Sequence, residues 1–396
     1  MRLRHQDGQT VHLSYCTNVH PAEDLAGVIA QLDTFAEPIR RQLDTDVLGL
    51  GLWLAAPVAA ALAADPTLRR KLRTELDARG LEVVTLNGFP YRSFQAPVVK
   101  LGVYHPDWTA PERLEYTLDL ARVLVDLLPD DAARGSISTL PLAWRTPWTP
   151  AQAGAADRTL EQLSAGLAAI AWQTGRAVRV GFEPEPGCVV ESTAQAATQL
   201  ARVDTDRLGV CLDLAHLACA WEEPAQALER LRQAGLPVVK VQVSAALQAD
   251  DPAAAAEQLG GYVEPRFLHQ TRGSGCAGAA DPAHPAHATD DLDAALAGEL
   301  PGAWRVHYHV PLHADPEPPL RATTPVLRSA LRELLGGGSA GCDHFDVETY
   351  TWGVLPAARR PNSDAELVGG IAAELAFARD ELVDLGLTPV SAPVRA

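Results

Sequence analysis

The chain has 396 residues and a formal net charge of −17 at neutral pH. This acidic balance lacks the basic stripe of a phosphate-backbone binder, so it disfavours nucleic acid and anionic membrane surfaces as partners. Hydrophobic residues make up 47% of the chain, which is enough for a large buried core. Six widely spaced cysteines, with no CxxC pair, are typical of reduced thiols in a cytoplasmic protein. The chain shows neither a signal peptide nor an apolar stretch as long as a membrane span, so we expect no membrane insertion.

Short apolar runs alternate with amphipathic segments along the first half of the chain. The runs predict four strands, at residues 11–19, 46–54, 81–86 and 135–142. Apolar residues at helical spacing predict a helix after each strand, at residues 23–43, 57–79, 111–128 and 149–175.

The same alternation continues in the second half and then becomes irregular. Strands are predicted at 177–182, 208–212 and 237–244, and helices at 193–203 and 223–234. Residues 268–290 are rich in Gly, Ala, Pro and His and predict an irregular surface insertion. The remaining elements are strand-like runs at 305–312 and 344–352, and helices at 321–335 and 364–385.

Strands that alternate with helices indicate βαβ units and a parallel sheet. No GxGxxG follows the first strand, which disfavours a dinucleotide-binding fold. No Pro/Ser-rich linker divides the chain, so we predict a single domain over residues 1–396, an α/β protein of the closed (β/α)8 TIM barrel class. There are nine strand-like runs, and 305–312 is the predicted extra one, an insertion after the seventh strand.

Polar side chains recur at the carboxyl ends of the late strands, where a TIM barrel carries its chemistry. Glu183 ends the fifth strand, Asp213 ends the sixth with His216 three residues later, Gln242 lies on the seventh and Glu348 on the last. Unpaired carboxylates inside a barrel are costly to desolvate, and a divalent cation would compensate them. Such a cation could also bind adjacent oxygens of a polyol or keto-sugar, while Glu183 and Glu348 move a proton off and onto carbon.

Each of these residues also has a simpler structural explanation. Asp213 could cap the following helix, Glu183 could pair with an arginine, and Gln242 could satisfy buried backbone groups. His307 and His309 share one face of the extra strand, and the sequence leaves open which is a ligand and which a core histidine.

Two further residues join His216, His307 and His309 as candidates for substrate binding. Asn87 follows the third strand at the same mouth. Lys240 faces the same way as Gln242, and a buried strand lysine is either a Schiff-base nucleophile or an internal cation, here one that balances Glu183 and Glu348. The first role would make the protein an aldolase.

Six segments together resemble the EboE family, within the xylose-isomerase-like (sugar isomerase/epimerase) TIM-barrel superfamily: TNVHP, LNGFPY, GFEPEPG, CLDLAH, KVQVS and HFDVETYTW. They span almost the whole chain. That family is grouped with metabolite-traffic operons, whose products are linked to moving secondary metabolites across the inner membrane.

The resemblance implies metal-ligand roles for Glu183, Asp213 and Glu348, and a metal or substrate contact for His216. Many sugar epimerases of the superfamily supply a histidine ligand from the seventh strand, where this chain has Gln242. An amide offers one carbonyl oxygen and no imidazole. The resemblance therefore implies that His307 or His309 supplies the missing histidine ligand, much as AP-endonuclease-type members draw a histidine from that region.

The sequence thus predicts a metal-dependent sugar isomerase/epimerase-like protein that acts on a small hydroxylated metabolite in an Ebo-type metabolite-traffic pathway. Its metal would be Mn, Mg, Zn or Co, and other proteins of the pathway would be its partners. The first alternative is a non-catalytic binding and handover protein on the same barrel. The second is a Schiff-base aldolase that uses Lys240. Cleavage of abasic nucleic acid shares the barrel, but the charge disfavours it.

Overall fold

The computed structural model describes residues 1–279 and 281–390, and this part of the chain contains fifteen strands and thirteen α-helices. The strands are β1 (Arg2–Arg4), β2 (Thr10–Cys16), β3 (Leu48–Trp53), β4 (Leu81–Asn87), β5 (Gly135–Thr139), β6 (Val178–Phe182), β7 (Leu208–Asp213), β8 (Val238–Val243), β9 (Ala246–Ala249), β10 (Thr271–Gly273), β11 (Ala288–Thr289), β12 (Trp304–His309), β13 (Arg321–Ala322), β14 (His344–Val347) and β15 (Thr388–Pro389). The helices are α1 (Leu25–Gln31), α2 (Glu37–Gln42), α3 (Ala56–Ala64), α4 (Pro66–Ala78), α5 (Pro111–Leu127), α6 (Pro150–Thr174), α7 (Thr193–Gln199), α8 (Leu214–Cys219), α9 (Pro224–Gln233), α10 (Ala256–Gly260), α11 (Leu292–Ala297), α12 (Thr324–Leu335) and α13 (Asp364–Asp384).

Eight parallel strands close into a barrel. Strands β2 to β8 pair in chain order, β14 pairs with β8, and β14 also pairs with β2 to close the ring. The predicted TIM barrel is therefore confirmed. The apolar core lies where strand side chains such as Leu50, Val180 and Val241 pack towards the surrounding helices.

The chain between β8 and β14 forms a second, five-stranded antiparallel sheet in the order β11-β10-β12-β9-β13. The predicted extra strand at 305–312 is confirmed as β12 in this sheet. The prediction of an irregular surface insertion over 268–290 was wrong for part of that segment, because β10 lies within it and residues 269–273 are buried. Only three residues of β10 pair with β12. So short a strand shows no alternation of apolar and polar residues in a stretch rich in Gly and Ala.

Several predicted boundaries move for local reasons. The helix predicted at 23–43 contains a π-helical turn at Leu32–Ala36 between α1 and α2. The helix predicted at 57–79 divides at Asp65, since Pro66 disfavours helical backbone in the residue before it. The last barrel strand ends at Val347 and a 3-10 turn occupies Tyr350–Val354, so Glu348 follows the strand instead of lying within it.

All six cysteines are buried and free of disulfides. None of the helices in the described part of the chain has both the length and the apolar composition that crossing a bilayer requires.

Candidate functional site

Three buried carboxylates stand at the carboxyl ends of barrel strands. Glu183 directly follows β6, Asp213 ends β7 and Glu348 directly follows β14. Asp213 also caps α8, because its Oδ1 accepts the backbone N–H of His216 at 2.8 Å. Asp213 is therefore both a helix cap and a residue of the site, because the cap fixes His216 one turn beyond the strand.

The predicted candidates come together at one mouth of the barrel. Potential ligand atoms of Glu183, Asp213 and His216 lie within 4.8 Å of one another, and so do those of Asp213, His309 and Glu348. A third group of the same kind consists of His216, His307 and His309. The histidines of β12 thus join this mouth from the second, five-stranded sheet.

The two histidines of β12 differ in which ring nitrogens are engaged. His309 Nδ1 lies 2.7 Å from the main-chain oxygen of Glu348, and that oxygen only accepts, so Nδ1 carries the proton. His309 Nε2 then bears a lone pair, 3.7 Å from Asp213 Oδ2. Neither of these two atoms has a hydrogen-bond partner among the described residues. This arrangement, with one nitrogen tied to a carbonyl and the other free, is typical of a metal-binding histidine.

His307 instead faces His216. The Nδ1 of His216 donates to the carbonyl of Pro184 at 2.9 Å, and the Nδ1 of His307 donates to Oε1 of Gln270 at 2.8 Å. Both Nε2 atoms therefore carry lone pairs, and they lie 2.9 Å apart. Burial lowers the pKa of His216 to about 4 and lowers that of His307 well below its ordinary value, so both rings are neutral. Two facing lone pairs repel each other unless a hydrogen-bond donor or a cation lies beside them, and the Tyr350 hydroxyl, 3.3 Å from His307 Nε2, can be such a donor.

Two amides hold Glu348. Nδ2 of Asn18 donates to Oε1 of Glu348 at 2.7 Å, and Nδ2 of Asn87 donates to the same oxygen at 2.9 Å. Asn87 was a predicted substrate contact, and the structure places it at the pocket floor as an orienting partner of Glu348. Asn18 belongs to the TNVHP segment and was not singled out by the sequence.

Crowding of buried carboxylates raises their proton affinity. Burial, and then the charge of Asp213, raises the pKa of Glu348 to about 8. Burial, and then the charge of Glu348, raises the pKa of Glu183 well above its ordinary value. A positive charge among these groups would reverse both shifts.

Gln242 and Lys240 lie deeper in the barrel. Gln242 pairs in register with Asp213 on one side and Asp346 on the other, and both of its amide atoms lack hydrogen-bond partners within the described chain. Lys240 Nζ lies 2.8 Å from Asp346 Oδ2, and both side chains are fully buried. Lys240 does not line the pocket. Its contact fits the role of internal cation, although with Asp346 as partner instead of Glu183 or Glu348.

Sequence reasoning missed a second polar network in the pocket. Tyr104 donates to Glu185 Oε1 at 2.7 Å, and burial raises the pKa of Glu185 to about 8. Gln270 Nε2 donates to the Tyr104 hydroxyl at 2.8 Å, and Tyr350 lies 3.3 Å from His307 Nε2. Glu185 belongs to the GFEPEPG segment, which was the only signal available. The other partners come together only in the folded chain.

The residues at the mouth fit a divalent cation. Glu183 Oε2, Asp213 Oδ2 and His309 Nε2 are buried ligand atoms that lack protein partners in the part of the chain that is described. Carboxylate oxygens with one imidazole nitrogen suit Mn, Mg, Zn or Co. The need for charge compensation and the unsatisfied lone pairs therefore both indicate a cation site at this mouth.

A model of the xylose isomerase-like TIM barrel family matches residues 47–278. The chain belongs to the xylose isomerase-like TIM barrel family. No curated protein matches it in sequence. Membership of this family agrees with the barrel and with the position of the site at the carboxyl ends of the strands.

Solved structures show the same fold. A xylose isomerase-like TIM barrel protein from Mycobacterium smegmatis in complex with magnesium has a TM-score of 0.51 at 14% identity, covering 94% of this chain and 98% of that one. A D-allulose 3-epimerase from Methylomonas sp. has a TM-score of 0.51 at 11% identity, with the same coverage. The Methylomonas epimerase in complex with D-allulose gives 0.50 at 10% identity, covering 94% and 97%. At these identities the likeness concerns the fold alone.

Proposed function

We propose that the protein is a metal-dependent isomerase or epimerase of a small hydroxylated metabolite. The observation that carries this proposal is a set of three buried ligand atoms that lack partners among the described residues: Glu183 Oε2, Asp213 Oδ2 and His309 Nε2. Asp213 links them, because it shares one ligand group with Glu183 and another with His309 and Glu348. A divalent cation bound there would polarise adjacent oxygens of a hydroxy-carbonyl compound and make the intervening C–H more acidic. The magnesium and D-allulose of the two neighbouring proteins agree with this class of chemistry.

The protein's own residues would then hold and move the proton. Glu348 is fixed by Asn18 and Asn87 through Oε1, which leaves Oε2 available to the ligand. Glu183 comes from a different strand of the same mouth and supplies the second carboxylate, so one group can remove a proton and the other can return it. His216 offers a neutral Nε2 that can accept a hydrogen bond from a ligand hydroxyl.

Solvent exchange tests this proposal directly. Metal-loaded protein should wash deuterium from D2O into the carbon beside the carbonyl of a bound hydroxy-ketone. Substituting Glu348→Gln should slow the wash-in by about 100-fold or more and lower the bound metal. Glu229→Gln on α9, where the side chain is 45% exposed, serves as the matched control. Full exchange and full metal content in the Glu348→Gln protein would refute the proposal.

A second candidate function is a receptor that binds and hands over a metabolite without turnover, as a member of an EboE-type metabolite-traffic pathway. It is favoured by Gln242, which stands where many sugar epimerases of the superfamily supply a histidine. It is also favoured by the six segments that resemble the EboE family. Under this function the ligand binds but no deuterium enters it, so the same exchange experiment separates the two.

A further inference from the structure

The pocket above the carboxylates has two unlike parts. Its empty space, together with the open solvent at its entrance, is about 490 Å³. The floor consists of polar groups from strand ends, among them Glu183, Asn87 and Glu348. The outer wall comes from loop residues and is apolar: Phe89, Pro90, Phe94, Val99, Val103 and Phe267.

The apolar wall is held in place by its own contacts. The ring centroids of Phe94, Phe267 and Tyr350 lie 4.9 to 5.3 Å apart in all three pairs. The backbone N–H groups of Val99 and Lys100 both donate to the carbonyl of Arg266, at 2.7 and 2.9 Å. Hydrogen bonds between two loops therefore fix the position of the wall.

Exposed apolar residues also adjoin the wall along the chain. Five large apolar side chains are exposed among the described residues, and three of them lie on the two loops of the wall: Val98 at 63%, Leu101 at 46% and Val263 at 42%. A cluster of exposed apolar residues beside a pocket commonly marks a binding surface. The apolar character thus continues from inside the pocket to the surface.

The polar groups that reach the wall are already used by the protein. The Tyr104 hydroxyl contacts Glu185 and Gln270, and the Tyr350 hydroxyl contacts His307. A free sugar would place hydroxyl groups against this wall with few partners, and an unpartnered buried hydroxyl is costly.

A phosphorylated ligand fits no better. Lys100 is the one lysine or arginine among the described residues that line the pocket, and it is paired with Asp291. Away from the floor, where the proposed metal would bind, the described lining therefore offers no free lysine or arginine to a phosphate dianion.

We infer that the ligand is a neutral, two-part metabolite, with adjacent oxygen atoms at one end and an apolar ring or chain at the other. The oxygens face the carboxylate floor, and the apolar part packs on the wall and reaches towards the rim. This inference rests on the proposed function for the role of the oxygens, but the apolar preference can be measured without turnover.

The test compares two neutral ketones that share the same α-hydroxy-carbonyl group, hydroxyacetone and its phenyl analogue 2-hydroxyacetophenone. Calorimetry on the full chain, with and without Mn²⁺, should show the phenyl compound binding at least about tenfold more tightly. Saturation-transfer NMR should place its ring protons against the protein. Equal affinities for the two ketones would overturn the inference.

A pair of matched variants locates the effect. Val99→Asp places a charge in the wall, and Val383→Asp makes the same change at an exposed valine of α13. We expect Val99→Asp to abolish the preference for the phenyl compound over hydroxyacetone, and Val383→Asp to leave that preference unchanged. Equal effects of the two substitutions would also overturn the inference.

The outcomes separate this inference from the proposed function. A phenyl preference without deuterium exchange would keep the two-part ligand and reject the isomerase. Deuterium exchange into hydroxyacetone without a phenyl preference would keep the isomerase and reject the two-part ligand.

Discussion

The imidazole of His309 is held by the backbone of Glu348: Nδ1 donates to the Glu348 carbonyl at 2.7 Å, and Nε2 is thereby turned towards Asp213. Glu348, which follows the last barrel strand, thus orients a histidine from the second sheet. This relationship selects His309, over its strand neighbour His307, as the candidate for the ligand that Gln242 cannot provide.

The first prediction concerns this histidine. Substituting His309→Ala should weaken binding of Mn²⁺ by at least about 100-fold, since loss of a direct ligand costs no less than loss of the groups that orient one. Competition against a fluorescent chelator measures the affinity. His269→Gln is the control, because His269 is equally buried but both of its ring nitrogens contact protein oxygens. Equal metal affinity in the two variants would exclude His309 as a ligand.

A second prediction tests the ion pair beneath the site. Gly51 faces Asp346, and a Cβ built at Gly51 would overlap the Asp346 carboxylate. Gly51→Ala should therefore displace Asp346 from Lys240 and lower the free energy of unfolding by about 3 kcal/mol or more, as measured by urea denaturation.

Gly369→Ala is the matched control for that substitution. Gly369 lies on α13 with open space around a built Cβ, so alanine should leave stability unchanged or raise it by up to ~1 kcal/mol. If Gly51→Ala were as stable as Gly369→Ala, the barrel interior would be looser than the observed packing.

The sequence alone was sufficient to predict where the three carboxylates of the site lie. Glu183, Asp213 and Glu348 each stand where an apolar strand ends, and barrel topology alone brings the carboxyl ends of parallel strands to one mouth. The prediction of their proximity needed no knowledge of side-chain packing.

Other parts of the site depend on contacts that no local pattern encodes. His307 and His309 share one strand face, so only the position of the Glu348 carbonyl distinguishes them. Asn18 reaches Glu348 across 330 residues of sequence. The partner of Lys240 follows from the pairing of β8 with β14, which sets Gln242 opposite Asp346 and Lys240 close by. These relationships arise from register and packing between distant segments.

A third prediction addresses the aldolase alternative. Burial is the largest single influence on Lys240 and lowers its pKa, but the charge and hydrogen bond of Asp346, together with Cys211 and Cys16, outweigh burial, and the pKa is raised. Lys240 is therefore an ammonium at neutral pH and a poor nucleophile. Borohydride reduction in the presence of hydroxyacetone should leave the peptide that contains Lys240 without an adduct in mass spectrometry. Lys71, which is exposed, reports any non-specific labelling. A reduced adduct specific to Lys240 would contradict this prediction and favour the aldolase alternative.

The last prediction concerns the pH dependence of stability. Glu374 on α13 is buried, and burial raises its pKa from the ordinary value of 4.5 to about 7, against the hydrogen bonds from Thr349, Leu312 and Trp352. Between those two pH values the folded state binds more protons at this residue than the unfolded state does. The contribution of Glu374 to stability is thus present below pH 4.5 and is lost as the pH rises to about 7, with a slope of at most about 1.4 kcal/mol per pH unit.

Substituting Glu374→Gln should remove this slope from the pH series of urea denaturation curves, because the amide does not titrate. The absolute stability should fall as well, since Oε2 accepts from Trp352 Nε1 at 3.0 Å and an amide NH2 there would face another donor. The decisive measurement is therefore the slope and not the midpoint. Glu333→Gln, an exposed change on α12, should leave the slope as it is in the unsubstituted protein. An unchanged slope in Glu374→Gln would show that the carboxylate is ionised throughout this range, with its three donors outweighing the cost of burial.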